Sequence, residues 1–166
     1  MKPIRLKQTY ELLQSYKLFE NPNVIISDPT PASKEDLLTF HSHDYINAIE
    51  VFNDGNWSQN ASNFNLGPGD NPVYKNIFDA SRLSTGGSIV AAKMIESGKV
   101  NRAFNISGGL HHAMPNYAYG FCVFNDPVIA INQFLQKGLK VAYIDIDCHH
   151  GDGVQLAFYD TDAVLT

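Results

Sequence analysis

Hydrophobic residues along the chain follow two kinds of spacing, one typical of helices and one typical of short strands. Where apolar side chains recur every three or four residues we predict helices, over residues 4–19, 34–40, 43–52, 79–98, 126–138 and 154–159. Where β-branched and aromatic residues run together we predict strands, at residues 24–26, 102–107, 140–147 and 163–166. Residues 53–71 are rich in Asn, Ser, Gly and Asp, and they predict a loop of a length that is often functional.

Strands and helices alternate in the second half of the chain. A strand, helix, strand, helix, strand order at this spacing predicts right-handed crossovers and a parallel sheet, so the predicted fold class is α/β. In such sheets the active site forms beyond the carboxyl ends of the strands. The loops that follow residues 107 and 147 should therefore lie at the same edge.

Local signals support several of the helices. Ser33 stands three residues before an aspartate, as in a capping box. Asp126 followed by Pro127 indicates an N-cap and a proline at the first helical position. The Gly86-Gly87 pair in the longest predicted helix suits close packing against another backbone.

The strand at residues 141–147 runs into a dense group of ionisable residues. Strand alternation puts Asp145, Asp147 and His149 on one face, and Ile144, Ile146 and Cys148 on the other. Neighbouring carboxylates repel each other unless a cation lies between them, and oxygen with nitrogen ligands suits zinc or another divalent first-row ion. We therefore predict a metal site. The alternative is a solvated loop in which Asp152 caps the next helix.

Adjacent histidines, His111 and His112, follow the predicted strand at residues 102–107 in a glycine-flanked loop. Such a pair could be accidental if taken alone. If the two strands are near neighbours, both histidines face the acidic strand end, because the carboxyl ends of parallel strands meet at one edge. We therefore expect imidazoles and carboxylates to form one site.

Composition narrows the class of partner. The 166 residues suffice for one domain, and a net charge of −5 with scattered Lys and Arg predicts neither a nucleic-acid partner nor an anionic membrane. No apolar run of 18 residues and no secretory signal are found in the sequence, so we expect a soluble protein. Cys122 and Cys148 lack the spacing of a disulfide framework or zinc ribbon, which favours a reducing, cytoplasmic location.

Four motifs together carry a specific resemblance. They are Ser107-Gly-Gly-Leu-His-His-Ala113, Gly120-Phe-Cys122, Asn125-Asp126 and Tyr143-Ile-Asp-Ile-Asp-Cys-His-His-Gly-Asp-Gly153. With them the chain resembles the histone deacetylase superfamily. Met114 and the segment Gly67-Pro-Gly-Asp-Asn-Pro72 look most like the bacterial acetoin-utilisation branch. The resemblance implies a three-layer α/β/α fold with a mainly parallel sheet, of the arginase/deacetylase type.

The resemblance also implies the metal chemistry. Asp147 and His149 look like two of three metal ligands, with Zn²⁺ as the default ion and Fe²⁺ or Mn²⁺ as alternatives that accept the same ligands. Asp145, Asp147 and His149 could also supply oxygens to K⁺, as in relatives. The implied function is metal-dependent deacetylation, in which a water molecule activated by the metal attacks the amide of acetyl-lysine or a similar acylated amine.

Other matching residues take roles in proton transfer. His111 and His112 look like the paired general base and acid, and Asp145 and Asp152 match the carboxylates that orient them. We predict the pairs Asp145 with His111 and Asp152 with His112. An aspartate behind each imidazole fixes its tautomer, so that the two histidines can differ in charge at one pH.

The resemblance places substrate-binding residues as well. Gly120 and Phe121 match the narrow channel for the acyl-lysine side chain, and Asp70 matches a rim residue that binds substrate backbone. From residue type alone, Phe121 would be a core aromatic. The candidate substrates are an acetylated lysine side chain, an acetylpolyamine or a small acyl amide, since each offers an amide on a slender arm.

The resemblance runs from Met1 to Thr166, whereas the family pattern has a further Asp ligand, a Tyr that stabilises the transition state and a glycine-rich loop beyond that point. We therefore expect one deacetylase-like domain, 1–166, that is the N-terminal part of a larger one, and self-association through an incomplete sheet edge. The alternative function is a non-catalytic module that binds acyl-lysine. A function as a related ureohydrolase is disfavoured, because those enzymes have an Asp at the position where this chain has Gly151.

Overall fold

The computed structural model describes residues 3–166. Its helices are α1 (Ile4–Ser15), α2 (Lys34–Leu37), α3 (His43–Val51), α4 (Ile77–Glu96), α5 (Asp126–Leu135) and α6 (Asp152–Phe158), and its strands are β1 (Val141–Ala142) and β2 (Val164–Leu165). Short 3-10 helices lie at Leu18–Glu20, Phe52–Asp54 and Gln59–Phe64. Each predicted helix is present, and the long loop predicted at 53–71 contains a 3-10 helix.

The two strands are parallel neighbours. Val141 pairs with Val164, Ala142 pairs with Leu165, and the Tyr143 N–H donates to the Leu165 carbonyl at 2.7 Å. Helix α6 lies between them in the chain and supplies the crossover that parallel strands require. This arrangement confirms the predicted α/β class.

The predicted strands are longer and more numerous than those observed. Within residues 3–166 no strand forms at 24–26 or 102–107, and the strand predicted at 140–147 pairs only at its first two residues. The reason is that a strand needs a neighbour, and in the described part of the chain only β2 pairs with β1. Phe104 and Ile146 are accordingly 74% and 95% exposed.

Side-chain caps fix the starts of two short helices. At α2 the Ser33 hydroxyl accepts from the Asp36 N–H at 3.0 Å, and the Asp36 carboxylate accepts from the Ser33 N–H at 2.9 Å. This is the predicted capping box. At α3 the Ser42 hydroxyl accepts from the Tyr45 N–H at 3.3 Å. Helices this short depend on such caps and on packing, because propensity alone does not sustain them.

The start of α5 differs by one residue from the prediction. Its N-cap is Asn125, whose side-chain oxygen accepts from the Val128 N–H at 3.2 Å, rather than Asp126. Asp126 is the first helical residue, and its carboxylate turns back towards the loop at Gly109 and Leu110. The sequence pattern marks the start of the helix correctly, but two capping residue types stand side by side, and only the fold decides between them.

The helix α4 packs closely against other parts of the chain. A side-chain carbon at Gly86 would collide with the Thr30 carbonyl, which confirms that this glycine permits a close backbone approach. Across residues 3–166, no helix combines the length and apolar character that a membrane crossing needs.

Two apolar clusters form the core. The larger joins α2, α3, α4 and residues 118–129, and it includes the fully buried Tyr45, Phe124 and Ile129. The Tyr45 hydroxyl donates to the Val123 carbonyl at 2.7 Å, which satisfies the buried hydroxyl. The smaller cluster packs α5 and α6 on the two strands. Loops that follow this packed scaffold carry the candidate site.

Candidate active site

Two histidine–aspartate pairs form the centre of the site. His111 Nδ1 lies 2.6 Å from Asp145 Oδ2, and His112 Nδ1 lies 2.7 Å from Asp152 Oδ1, so both predicted pairings are confirmed. The two imidazole centroids are 4.1 Å apart. Because each Nδ1 faces a carboxylate, we assign the proton of the neutral ring to Nδ1. This assignment leaves Nε2 of each ring able to accept a proton.

Asp145 is held by several donors. Its Oδ2 accepts from His111 and from the Tyr143 hydroxyl at 2.6 Å, and its Oδ1 accepts from the Asp147 N–H at 3.0 Å. Burial raises the pKa of Asp145, but these hydrogen bonds outweigh it and hold the pKa below its usual range. The carboxylate therefore stays ionised beside the His111 ring. Sequence reasoning missed Tyr143, although strand alternation puts residues 143 and 145 on one face.

Asp126 holds the loop that precedes the histidines. It is 1% exposed, and it accepts from the Leu110 N–H at 2.8 Å, from the Gly109 N–H at 3.1 Å and from the Ser88 hydroxyl. Burial raises the pKa of Asp126, while the Ser88 and backbone hydrogen bonds oppose that shift. A single buried carboxylate thus ties α4 and α5 to the residues immediately before His111.

A second buried pair, Asn125 and His41, supports the loop from the other side. The Asn125 amide donates to the carbonyls of His111 at 3.2 Å and Ala113 at 3.0 Å. His41 accepts from the Asn125 N–H at 2.9 Å, and its other ring nitrogen lies 3.0 Å from the Met114 carbonyl. Burial lowers the pKa of His41 to about 4, so the ring is neutral and bridges the two backbones. Sequence analysis gave no role to His41.

The candidate metal ligands lie at the exposed strand end. Ligand atoms of Asp147, Cys148 and His149 all lie within 4.8 Å of one another. The His149 N–H and ring hydrogen bonds lower the pKa of Asp147, which keeps it a carboxylate. Carboxylate, imidazole and thiolate are all zinc ligands, so this donor set fits a divalent ion.

One detail of that prediction is wrong. Cys148 was expected on the opposite face from His149, but its sulfur lies 3.4 Å from His149 Nδ1. The strict alternation of a strand does not hold here, because residues 147–149 form a bend. The His149 ring centroid lies 6.1 Å from that of His112, so the fold brings the predicted ligands and the histidine pair together.

The predicted channel residues lie beside His112. A side-chain carbon at Gly120 would overlap the His112 ring, so only glycine permits this contact. Phe121 has a φ of 67°, and its N–H donates to the Asn71 side chain at 2.9 Å. Its side chain is 50% exposed, so the core position expected from residue type alone is wrong. Asp70 is exposed and lines a cavity together with Gly120.

Solved structures of known proteins share this fold. A crystal structure of an HDAC homolog from Aquifex aeolicus aligns with a TM-score of 0.76 and 42% identity, covering 82% of this chain and 37% of that chain. A crystal structure of an HDAC homolog complexed with SAHA aligns with the same TM-score and identity. The chain thus has an α/β fold of the deacetylase type, as predicted.

Sequence comparison identifies the family. Residues 1–166 match the histone deacetylase domain. Similar proteins include the probable histone deacetylase 1-A of Xenopus laevis (43% identity, 100% of this chain, 35% of that protein), histone deacetylase 1 of Homo sapiens (42%, 100% and 34%) and the acetoin utilization protein AcuC of Bacillus subtilis (39%, 98% and 42%). The chain belongs to the histone deacetylase family. It spans about a third of the length of the first two relatives.

Proposed function

We propose that the protein is a metal-dependent deacetylase that hydrolyses the amide of acetyl-lysine or a similar acylated amine. The observation that carries the proposal is the pair of histidine–aspartate hydrogen bonds, at 2.6 and 2.7 Å, beside a donor cluster of metal-ligand type. General acid–base hydrolysis needs a base and an acid in such positions. Family membership supports deacetylation as the reaction class.

The metal would be held by Asp147 and His149, with Cys148 near enough to contribute a thiolate. Zn²⁺ is the first choice, and Fe²⁺ or Mn²⁺ suits the same oxygen and nitrogen donors. When bound, a divalent ion polarises the amide carbonyl and lowers the pKa of water. A neighbouring K⁺ near Asp145 is part of the proposal, because this carboxylate is ionised.

The histidine pair would move the protons. One imidazole accepts the proton of the attacking water at Nε2, and the pair returns a proton to the departing amine. Asp145 is ionised, lies 2.6 Å from His111 Nδ1 and orients that ring. His112 is paired with Asp152, whose side chain is more exposed than that of Asp145. The two imidazoles thus lie in unlike surroundings, as two groups with different roles in one reaction require.

The substrate arm would enter beside Gly120 and Phe121, with Asp70 holding the substrate backbone at the rim. The close contact between Gly120 and the His112 ring supports this path, since a slender arm passing Gly120 reaches the imidazole directly. An acetylated lysine side chain, an acetylpolyamine and a small acyl amide all meet this requirement. We further propose a cytoplasmic location, supported by the free thiols of Cys122 and Cys148.

A non-catalytic role as an acyl-lysine-binding module is the second candidate. It is favoured by the small number of ligands, because the metal-type cluster found among residues 3–166 comes from three consecutive, exposed residues. A weak or absent metal would leave the pocket able to bind an acyl-lysine arm without hydrolysing it.

The test is hydrolysis of an acetyl-lysine peptide by the full-length gene product, with chelator treatment and zinc re-addition. We expect turnover that chelation abolishes and zinc restores, and a loss of at least 100-fold in the His112→Ala variant. The exposed His43→Ala variant serves as the matched control and should retain activity. Peptide binding without turnover, unaffected by chelator, would support the binding module instead.

A further inference from the structure

A cavity of about 420 Å³ is lined in part by Tyr119 and Gly120, the two residues that lie against the His112 ring. We name it the rim cavity, and its main walls are Trp57, Leu66, Asp70, Tyr119 and Gly120. We propose that the rim cavity binds a positively charged group of the substrate close to the acylated amine, an ammonium or a guanidinium. This inference rests on the proposed function and narrows its substrate class to cationic acyl amines.

The lining of the rim cavity suits a cation. Trp57 and Tyr119 are 52% and 44% exposed, so both aromatic rings are accessible to a ligand. Among the described residues that line the cavity, Asp70 is the one with a formal charge, and it belongs to none of the ion pairs between residues 3–166. Aromatic rings and a carboxylate both attract cations, and they disfavour an anion.

Hydrogen bonds within the protein fix the walls of the rim cavity. Asn71 is 9% exposed. Its carbonyl accepts from the Gly67 N–H and closes the turn of one wall, and its side chain accepts from the Phe121 N–H and joins that wall to the other, both at 2.9 Å. The Ala118 N–H donates to the Phe64 carbonyl at 3.0 Å and joins the same two loops. A site fixed in this way loses little freedom on binding.

The position of the cavity sets which part of a substrate reaches it. The Tyr119 ring lies 5.8 Å from the His112 ring, centroid to centroid and nearly perpendicular, so one aromatic ring separates the cavity from the reacting centre. Because the acylated amide lies at the end of a side-chain arm, a substrate with this amide at His112 keeps its backbone and its flanking residues on the outer side, where Tyr119 and Gly120 line the rim cavity.

Binding is tested first with a pair of acetyl-lysine peptides that differ at one flanking position, where one carries arginine and the other its neutral isostere citrulline. The titration uses the 166-residue chain, in which Trp57 is the sole tryptophan, so its fluorescence reports directly on the cavity. We expect the arginine peptide to change the emission and to bind roughly three- to tenfold more tightly. Equal affinity, or no change in emission with either peptide, would overturn the inference.

Calorimetric titration of variants separates the proposed cation contact from other effects. Trp57→Leu and Asp70→Asn should each reduce the ratio of arginine to citrulline affinity towards one. The matched controls Tyr16→Leu and Asp160→Asn alter exposed residues outside the cavity and should keep the ratio. If Asp70→Asn weakens both peptides equally, Asp70 holds only the backbone and the inference fails. An acetylated polyamine measured beside the peptides distinguishes an ammonium on a polyamine from a peptide side chain.

Turnover of the same peptides by the full-length gene product distinguishes the inference from the proposed function. Hydrolysis of both peptides with equal kcat/KM and equal affinity would overturn the inference and leave the deacetylase proposal standing. No hydrolysis of either peptide, together with a preference for arginine in binding, would overturn catalysis and retain the cation site. Faster hydrolysis of the arginine peptide, mainly through a lower KM, is the result expected if both are correct.

Discussion

The histidine loop (residues 108–113) and the strand end (residues 144–150) meet in one site but are held in different ways. His111 is 6% exposed, and the carboxylate of Asp126, which fixes its loop, is 1% exposed. At the strand end Ile144 and Ile146 are 82% and 95% exposed, and the candidate metal ligands contact mainly each other. The core therefore holds the histidine half of the site, while the half with the candidate metal ligands rests on local hydrogen bonds.

The difference shows what each half needs in order to work. A side chain fixed by buried partners keeps its geometry without a ligand, as catalytic groups require. A group fixed by its own neighbours gains its final geometry from a bound ion or from another protein surface. We therefore expect mutations to affect stability strongly in the histidine loop and its supports, and weakly at the strand end.

The largest loss of stability is expected from Asp126→Ala. The substitution removes a buried carboxylate and leaves the Gly109 and Leu110 N–H groups and the Ser88 hydroxyl without their acceptor, which should lower the free energy of unfolding by roughly 4 kcal/mol. Urea denaturation followed by circular dichroism measures the change. A loss below about 1 kcal/mol would mean that Asp126 does not hold the loop.

Two identical substitutions compare the halves directly. Ile129→Ala in the fully buried core should cost about 3 kcal/mol, because it removes buried methyl groups and leaves a cavity. Ile146→Ala at the 95% exposed strand end should change the unfolding free energy by less than about 0.5 kcal/mol. Equal losses in the two variants would contradict the contrast.

His41 makes the core sensitive to acid. In the unfolded chain this imidazole takes up a proton near its ordinary pKa of 6.5, whereas in the folded chain burial lowers the pKa to about 4. The unfolded state therefore binds more protons between these values, and stability falls as the pH falls through this window. The contribution of His41 should shrink by about 2 kcal/mol between pH 7 and pH 5.

The His41→Gln variant should be less stable at pH 7 but should show a flatter dependence of unfolding free energy on pH. His43→Gln is the matched control, since His43 is exposed and should leave the slope unchanged. An unaltered slope in His41→Gln would mean that folding does not change the pKa of His41.

The smallest effect on folding, but a clear effect on assembly, is expected from a charge at the strand end. Phe104, Ile144, Ile146 and Leu165 are all more than 70% exposed, and apolar surface of this kind favours association. We propose that the 166-residue chain self-associates through this surface. Ile146→Glu should lower the average mass in sedimentation equilibrium, while Val51→Glu, which adds the same charge on α3, should not. A monomeric wild-type chain would refute this proposal.

Much of the site could be predicted from sequence because its parts are local. The motif around Asp145, Asp147 and His149, and the adjacent histidines, are short segments whose residue types limit the chemistry. The pairing of His111 with Asp145 also followed from family resemblance, and the fold confirms it. The helices were predictable for the same reason, since their apolar spacing and caps lie within a few residues.

The remaining features depend on contacts between distant segments. His41 lies 84 residues from its partner Asn125, and no local pattern indicates that their backbone and ring should meet. The strand predicted at residues 102–107 failed because pairing depends on a neighbour that sequence pattern does not supply. The N-cap of α5 is Asn125 rather than the predicted Asp126 for the same reason. The Asp126 carboxylate binds the Gly109 and Leu110 N–H groups of a distant loop, which leaves Asn125 to cap the helix.

Nitrogen-resolved NMR of the histidine side chains, in metal-free protein and during zinc titration, tests directly whether the core holds the histidine pair in place. The Nδ1 protons of His111 and His112, assigned through His111→Gln and His112→Gln, should be visible without metal, because Asp145 and Asp152 already bind them. Zinc should then perturb chiefly the His149 resonances. If both Nδ1 protons become visible only after zinc is added, the metal assembles the histidine pair, and the core does not hold it in place.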